Sequence, residues 1–214
     1  AIGINHKRAS VELREQVAIA EDERSGLLDA LHQHAGLREV MLISTCNRVE
    51  VYGVSPDPQT SGTRAIEVLA NTRDVRPDVL RKAAFVRDST DAARHIFRVA
   101  ASLESIVVGE PQILGQVKAS FGHAKDHGRV GPVLDRCLSL AFKSAKRVRS
   151  ETEIARGGAS VPSVAVDLAT SIFGDLTSSA VLVVGAGEMA EAAGVHLRAA
   201  GAPEIVVVNR SVER

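Results

Sequence analysis

An α+β domain followed by the beginning of an α/β domain is the architecture this 214-residue sequence predicts. Three observations carry it. Strand-like and helical patterns follow one another as β-α-β-β-α-β from Ala1 to Arg87. From Thr90 onward the pattern changes to amphipathic helices. Near the end, Ala180-Val181-Leu182-Val183-Val184 is an unbroken apolar run, the pattern of a parallel-sheet strand buried on both faces.

The elements are justified in turn. Ala1–Asn5 reads as a short strand and His6-Lys7-Arg8 as a basic loop. Val11–Ala20 fits either state. Glu21-Asp22-Glu23 puts acids at a helix start, where the macrodipole favours them. Leu27, Leu28 and Leu31 recur at helical spacing until Gly36 stops the run. Strands follow at about Glu39–Ser44 and Arg48–Val54, and Ser55-Pro56-Asp57-Pro58 breaks the second. Ala65, Ile66, Val68 and Leu69 mark a second helix, and Ala83–Arg87 a last strand. This order is the split βαβ of a ferredoxin-like sandwich. It is also the order of an RNA-recognition module, which stacks bases on aromatic side chains. Only 3% of the residues are aromatic, and Tyr52 and Phe85 form no such motif.

Appended helices come next. Ala93, Ile96, Phe97 and Ala100 share one face. Glu110-Pro111 is expected to open a helix ending at Gly128, with proline where its missing N–H costs nothing. A third helix, about Pro132–Glu153, carries Leu134, Leu138, Ala141, Ala145 and Val148 on its apolar side. Arg136, Lys143, Lys146, Arg147 and Arg149 lie elsewhere on it. That is either a solvated face or the footprint of a polyanion. Gly157-Gly158 is the expected joint and hinge between a first domain, 1–156, and a second, 157–214. Ser160 caps a helix with Pro162 in its first turn and Gly174 at its end.

Gly185-Ala186-Gly187-Glu188-Met189-Ala190 lies between a strand and a helix, and Glu204–Asn209 is the next strand. Gly185 permits the tight turn, Gly187 lets backbone approach a pyrophosphate, and Ala190 allows close packing of helix on strand. This context makes G-x-G-x-x-A a dinucleotide site at the start of a Rossmann-type domain. Arg210 then favours NADP(H), because an arginine accommodates the 2′-phosphate where NAD sites place an acid. The alternative is an arginine facing solvent in a turn. A complete fold of this kind has two such halves, and both ends of the sequence read as cut.

Composition narrows the chemistry. Formal net charge is zero, so no global field draws a polyanion, and any RNA contact must be a local patch. Cys46 and Cys137 are far apart without a ligand pattern, which argues against zinc or a disulfide framework and fits a reducing cytoplasm. No leader and no long uncharged apolar run is visible, so no membrane span is expected.

The polar link Thr45-Cys46-Asn47 joins two strands, where a turn holds side chains out on a rigid base. A thiol beside the fixed charge of Arg48 has its thiolate, the nucleophile, favoured. The bland alternative is a small buried residue. A thiol in one domain and a nicotinamide site in the other suggest that a thioester forms and is then reduced by hydride. A cysteine-dependent semialdehyde dehydrogenase would share those parts and need no RNA.

Four blocks make a resemblance specific. They are Gly3–Lys7, Ser44–Glu50, His95–Ser105 and Val108–Lys118, the last reading VGEPQILGQVK. In order and spacing they resemble glutamyl-tRNA reductase. The resemblance implies that Cys46 takes glutamate from glutamyl-tRNA(Glu) as a thioester. It implies substrate contacts at Thr45, Asn47, Arg48, Ser105, Glu110, Pro111, Gln112 and Gln116, with the Arg48 fork on a carboxylate. His95 matches the family's required histidine, an acid–base or orienting group. Gly185, Ala186, Gly187, Glu188, Met189 and Ala190 match the NADPH-binding turn. The implied product is glutamate-1-semialdehyde, the entry to 5-aminolevulinate and porphyrins, passed to an aminomutase. The family's C-terminal dimerisation domain, which would make a homodimer, is absent from this sequence. Ala9-Ser10 stands where the family has a proline, which leaves the loop shape there open.

Overall fold

The computed structural model describes residues 1–155 and 160–211, so the Gly157-Gly158 joint lies outside the described residues. The chain divides into two compact units, Ala1–Ile106 with Gln112–Ile154, and Val107–Pro111 with Ala155–Arg214. The short segment Val107–Pro111 is grouped with the second unit.

The first unit contains β1 (Ile2–Asn5), α1 (Val11–Val17), α2 (Arg24–His34), β2 (Glu39–Thr45), β3 (Arg48–Val54), α3 (Pro58–Thr72), α4 (Pro77–Ala83), β4 (Phe85–Val86), α5 (Ser89–Ala100), α6 (Gln112–Asp126) and α7 (Pro132–Glu151). Its four strands form one antiparallel sheet in the order β2-β3-β1-β4. The stretch that fits either state is α1. Ser10 caps it by accepting from the Leu13 amide, so Ala9-Ser10 starts a helix without proline. Pro58 opens α3 behind the Asp57 cap, earlier than the apolar spacing alone indicates. α6 begins at Gln112, after Glu110-Pro111 and not at it.

Strand alternation sorts the sheet's two faces. Val49 joins Ile2, Ile4, Ile66, Leu69 and Leu80 around one small void, an apolar contact between sheet and helices. Arg48, Glu50 and Tyr52 take the opposite face. In an antiparallel sheet that face often meets water, but here all three are buried. α7 is anchored by Glu39 of β2, whose carboxylate accepts from the Val133 (3.2 Å) and Leu134 (2.7 Å) amides. Gly131 is needed for this, since a Cβ there would meet the Glu39 side chain at 2.5–2.9 Å.

The second unit contains α8 (Val161–Phe173), β5 (Ala180–Val184), α9 (Glu188–Ala199) and β6 (Glu204–Val208). Ser160 and Ser163 form a reciprocal capping box on α8. β5 and β6 pair in parallel, in register from Ala180↔Glu204 to Val184↔Val208. Burial on both faces is not what is found. Val181, Val183 and Ile205 pack on Val166, Leu176, Leu197 and Ala202, whereas Leu182 is 62% and Val184 80% exposed. The helices of this unit cover one face only.

Candidate functional site

Cys46 and Asn47 are the two residues between β2 and β3, with Thr45 paired to Arg48. Two-residue hairpins usually use turns that need positive φ. Neither Cys46 nor Asn47 has one. The turn is held from outside instead. The His6 amide donates to the Asn47 carbonyl (2.9 Å), and Arg14 Nε donates to the Cys46 carbonyl (3.2 Å). Thr45 Oγ1 accepts from the Asn47 amide (3.3 Å), and Ser44 Oγ from the Ile19 amide (2.9 Å). Cys46 itself is exposed. Arg14, nine-tenths buried, also donates to the Ala9 carbonyl at 2.6 Å. Its helix shows no clear apolar period, so the sequence carries no sign of this role. Cys137, the second thiol, is partly buried, and burial pushes its pKa up.

Beneath the turn lies a buried polar network. Arg48 is 1% exposed and donates to Glu50 (3.1 Å) and to the Glu104 carbonyl (2.6 Å). Glu50 is wholly buried and also accepts from Tyr52 Oη (2.5 Å) and shares a 3.1 Å hydrogen bond with His95 Nε2. Burial pushes the Glu50 carboxyl up. The His95 hydrogen bond, the Arg48 charge and the Tyr52 hydroxyl outweigh it and hold the pKa below its usual value. Burial and the same carboxylate drive the Tyr52 phenol well above its usual pKa. Gly3 faces Glu50 across the β1–β3 ladder, and a Cβ there would meet the Glu50 Cα at 2.7 Å and Cγ at 2.9 Å, as well as the Val49 carbonyl. Glycine makes the room that the carboxylate needs.

Two sequence expectations change here. Arg48 was expected to present its charge to the thiol and its fork to a ligand, but Glu50 and the Glu104 carbonyl hold two of its nitrogens. His95 was expected near the thioester, but it lies against Tyr52 (ring centroids 6.2 Å apart) and Phe85 (4.9 Å) and bonds Glu50. Glu50 lies inside β3, two residues past Arg48, and it is this carboxylate that His95 bonds. The orienting role is therefore the one this geometry favours.

α5 ends in a Schellman motif that shapes the next piece. Ser102 takes a left-handed φ of 63°, its amide donating to Val99 and that of Leu103 to Arg98. This turn delivers Glu104 to the site. Its carbonyl holds Arg48, and its carboxylate is clamped by Lys7 (2.7 Å) and Arg98 (2.6 Å). Burial would raise the Glu104 pKa, but these two cations bring it down to about 2. Burial lowers the pKa of His6, and the charges of Arg48, Lys7 and Arg14 lower it further.

Five buried side-chain polar atoms among the described residues lack a partner, and four are His6 Nδ1, Arg48 Nε, His95 Nδ1 and Ser105 Oγ. Ser105 directly follows the carbonyl that Arg48 binds. Such atoms are rare in folded proteins, and their gathering near one turn marks a polar region to be accounted for. α6 runs opposite to β2, since Arg129, just past its end, accepts from the Val40 amide (2.9 Å). Its first turns, with Gln112 and Gln116 both exposed, therefore point toward the Cys46 end. Glu110 and Pro111 belong to the second unit, where the Glu110 amide donates to the Val107 carbonyl (3.2 Å). A cavity of about 280 Å³, lined partly by Tyr52, Val54, Ile96 and Cys137, lies toward the other end of β3 and excludes Cys46. Among the described residues no cluster of His, Cys, Asp or Glu could hold a metal, and no helix is long and apolar enough to cross a membrane.

The second unit offers a different surface. Gly185 has φ 107°, and added Cβ atoms at Gly185 or Gly187 would meet nothing within 4 Å. Gly187 caps α9 without a side-chain bond, leaving first-turn amides available to an anion. Ala186, Glu188, Met189 and Ala190 complete the turn, and the Ala190 amide donates to Gly187 (2.9 Å). Asn209 and the exposed Arg210 follow β6 at the same sheet edge, because Val184 pairs with Val208. The turn is one that could hold the pyrophosphate of a dinucleotide.

Comparison with known proteins adds an independent line. Residues 2–152 match the family described as glutamyl-tRNA(Glu) reductase, N-terminal domain, and 167–214 match shikimate/quinate 5-dehydrogenase. Proteins named glutamyl-tRNA reductase from Syntrophotalea carbinolica and Geobacter sulfurreducens are 45% and 44% identical over 213 residues. Those matches take in 100% of this chain and 48% and 49% of theirs, so the chain spans about half the length of these relatives. A solved structure titled glutamyl-tRNA reductase from Methanopyrus kandleri aligns with TM-score 0.63 and 37% identity, over 100% of this chain and 49% of that one.

Proposed function

This chain belongs to the glutamyl-tRNA reductase family, and from that premise we propose that it accepts glutamate from glutamyl-tRNA(Glu) on Cys46 and yields glutamate-1-semialdehyde, the precursor of 5-aminolevulinate. The carrying observation is an exposed thiol on a turn fixed from outside, above four buried polar atoms without partners. The strand order supports a ferredoxin-like sandwich, and the β5-α9-β6 unit supports the start of a Rossmann-type domain.

The chemistry follows from the residues. The Cys46 sulfur attacks the ester carbonyl of the aminoacyl-tRNA. A C–S bond forms, the C–O bond breaks, and the thiol proton ends on the released tRNA hydroxyl. Arg48 Nε and Ser105 Oγ receive the substrate's carboxylate, with Thr45, Asn47, Gln112 and Gln116 around the opening, and Glu110 has the charge to accept from the ammonium. His95 is a positioning residue, holding Glu50 and through it Arg48. The turn 185–190 with Arg210 would hold NADPH, which supplies the hydride that reduces the thioester. In the complete protein this reading includes a homodimer, a cytoplasmic location and delivery of the aldehyde to an aminomutase.

The test uses tRNA charged with labelled glutamate, without NADPH, quenched in acid. Wild type forms a hydroxylamine-sensitive adduct, and Cys46→Ser forms none. Absence of adduct in wild type, under conditions where the tRNA binds, rejects the thioester mechanism. A Cys46-dependent adduct formed with small glutamyl esters but never with the tRNA favours a semialdehyde dehydrogenase.

A further inference from the structure

The cations of α7 have no role in the chemistry above. They are arranged in a definite way. Taking the buried line Leu134, Leu138, Ala141 and Ala145 as the inner face, helical periodicity puts Arg136, Lys143 and Arg147 within about 40° of one line on the outer face. Lys146 and Arg149 turn toward the flank shared with Phe142, which packs edge-on against Phe121 of α6 at 5.7 Å. Lys118 of α6 lies over the Phe142 ring at 6.0 Å and joins that flank. Of these six, only Arg147 has a carboxylate partner among the described residues, Glu151 at 2.9 Å. Elsewhere exposed cations are often paired, as in Arg76 with Asp78, Arg81 with Glu67 and Lys125 with Asp135. In a chain of zero net charge, five cations on two adjoining helices without a carboxylate partner among the described residues form a local positive field.

The stripe from Arg136 to Arg149 is about 20 Å long at 1.5 Å per residue. Glu39 fixes one end of the helix, so the charges sit on a rigid base. α6 carries both Lys118 and the expected substrate contacts Gln112 and Gln116, which joins the stripe to the candidate site. Its exposed apolar residues, Val133 and Leu140, are too few to make the apolar crest of a membrane-binding helix. It has no exposed aromatic on which unpaired bases could stack. Cations without aromatics suit the phosphate backbone of a structured RNA.

We propose that α7 with Lys118 is a docking surface for the backbone of a folded RNA, positioning the tRNA body while its acylated end reaches Cys46. This rests on the tRNA-dependent reading above. Such contacts position without reading sequence.

The test is binding of the 214-residue chain to deacylated tRNA(Glu), and to an RNA hairpin of unrelated sequence, from 50 to 200 mM KCl. About four phosphate contacts predict a loss of affinity on the order of 10²-fold across that range. Lys143→Ala with Lys146→Ala and Arg149→Ala should weaken both RNAs and flatten the log–log salt slope by about 3, one for each phosphate contact removed. Lys82→Ala, an exposed lysine of α4, should leave the slope alone. Circular dichroism verifies that the triple variant is folded. An unchanged slope in the folded triple variant overturns the surface, as does anionic-vesicle binding that depends on these residues while RNA binding does not. Cys46 acylation separates the two claims. Normal acylation with an unchanged slope removes the surface and keeps the function. A lost slope with no acylation even in wild type keeps the surface and removes the function.

Discussion

The turn carrying Cys46 and the turn carrying Gly185 are built on opposite principles. The first is made of side chains, since Arg48, Glu50 and His95 are buried and hold one another, while Arg14 ties the turn through the Cys46 carbonyl. The second is made of side chains left out, since Gly185 and Gly187 leave open space above backbone amides. A side-chain site is exact but fragile, because each member that is lost leaves another buried without a partner. A backbone site tolerates its neighbours and fails when a Cβ is added.

That contrast can be broken first at Glu50. Glu50→Leu leaves Arg48 buried without its carboxylate, and urea unfolding should show a loss of about 3–5 kcal/mol. Adding Arg48→Met should restore most of the stability while Cys46 acylation stays lost. A cost below about 1 kcal/mol for the single change would mean that the pair does not hold the site. At the second turn, Gly185→Ala forces a side chain into φ 107° and should cost about 1–2 kcal/mol. Gly187→Ala meets no atom, and its stability cost should stay below about 1 kcal/mol. NADPH binding by Gly187→Ala, read by fluorescence titration, should nevertheless fall at least about tenfold, a 1.4 kcal/mol effect. Equal binding by wild type and Gly187→Ala would take that turn out of the cofactor site.

The smallest effect concerns Glu104. Its folded pKa, about 2, lies below the usual 4.5. A depressed carboxyl stabilises the fold fully above its unfolded pKa, and this is lost as pH falls from about 4.5 through 2. Lys7→Met removes one clamp, so the midpoint of acid unfolding should move to higher pH. An unmoved midpoint would show that Lys7 contributes nothing there.

The hairpin was legible because two strand patterns meet at a polar link. Glu50 was not. In Arg48-Val49-Glu50-Val51-Tyr52 the polar residues alternate as on a wet face, and only the helices packed over it, which bring His95 and the Glu104 carbonyl, make that face dry. The available hints were Gly3 in a strand and His95 in an apolar helical stripe, and neither names a partner. The acceptors that hold the Arg48 fork were hidden for the same reason, since the Glu104 carbonyl is 56 residues away. β5 reads as buried on both faces because its composition reports what the strand can tolerate. Which face is covered depends on elements that the run itself does not contain.

The outside support of the Cys46 turn has a consequence for biosynthesis. Its ties come from His6 and Arg14, which leave the ribosome before it, and its foundation from Glu104, which leaves long after. A nascent chain that has reached Val54 already has the hairpin's sequence but not the carbonyl that holds Arg48. Contacts of such long sequence separation form late and slowly. The nucleophile is therefore set only once α5 and its left-handed cap have folded back, and a chain stalled earlier displays the thiol without the geometry that would use it.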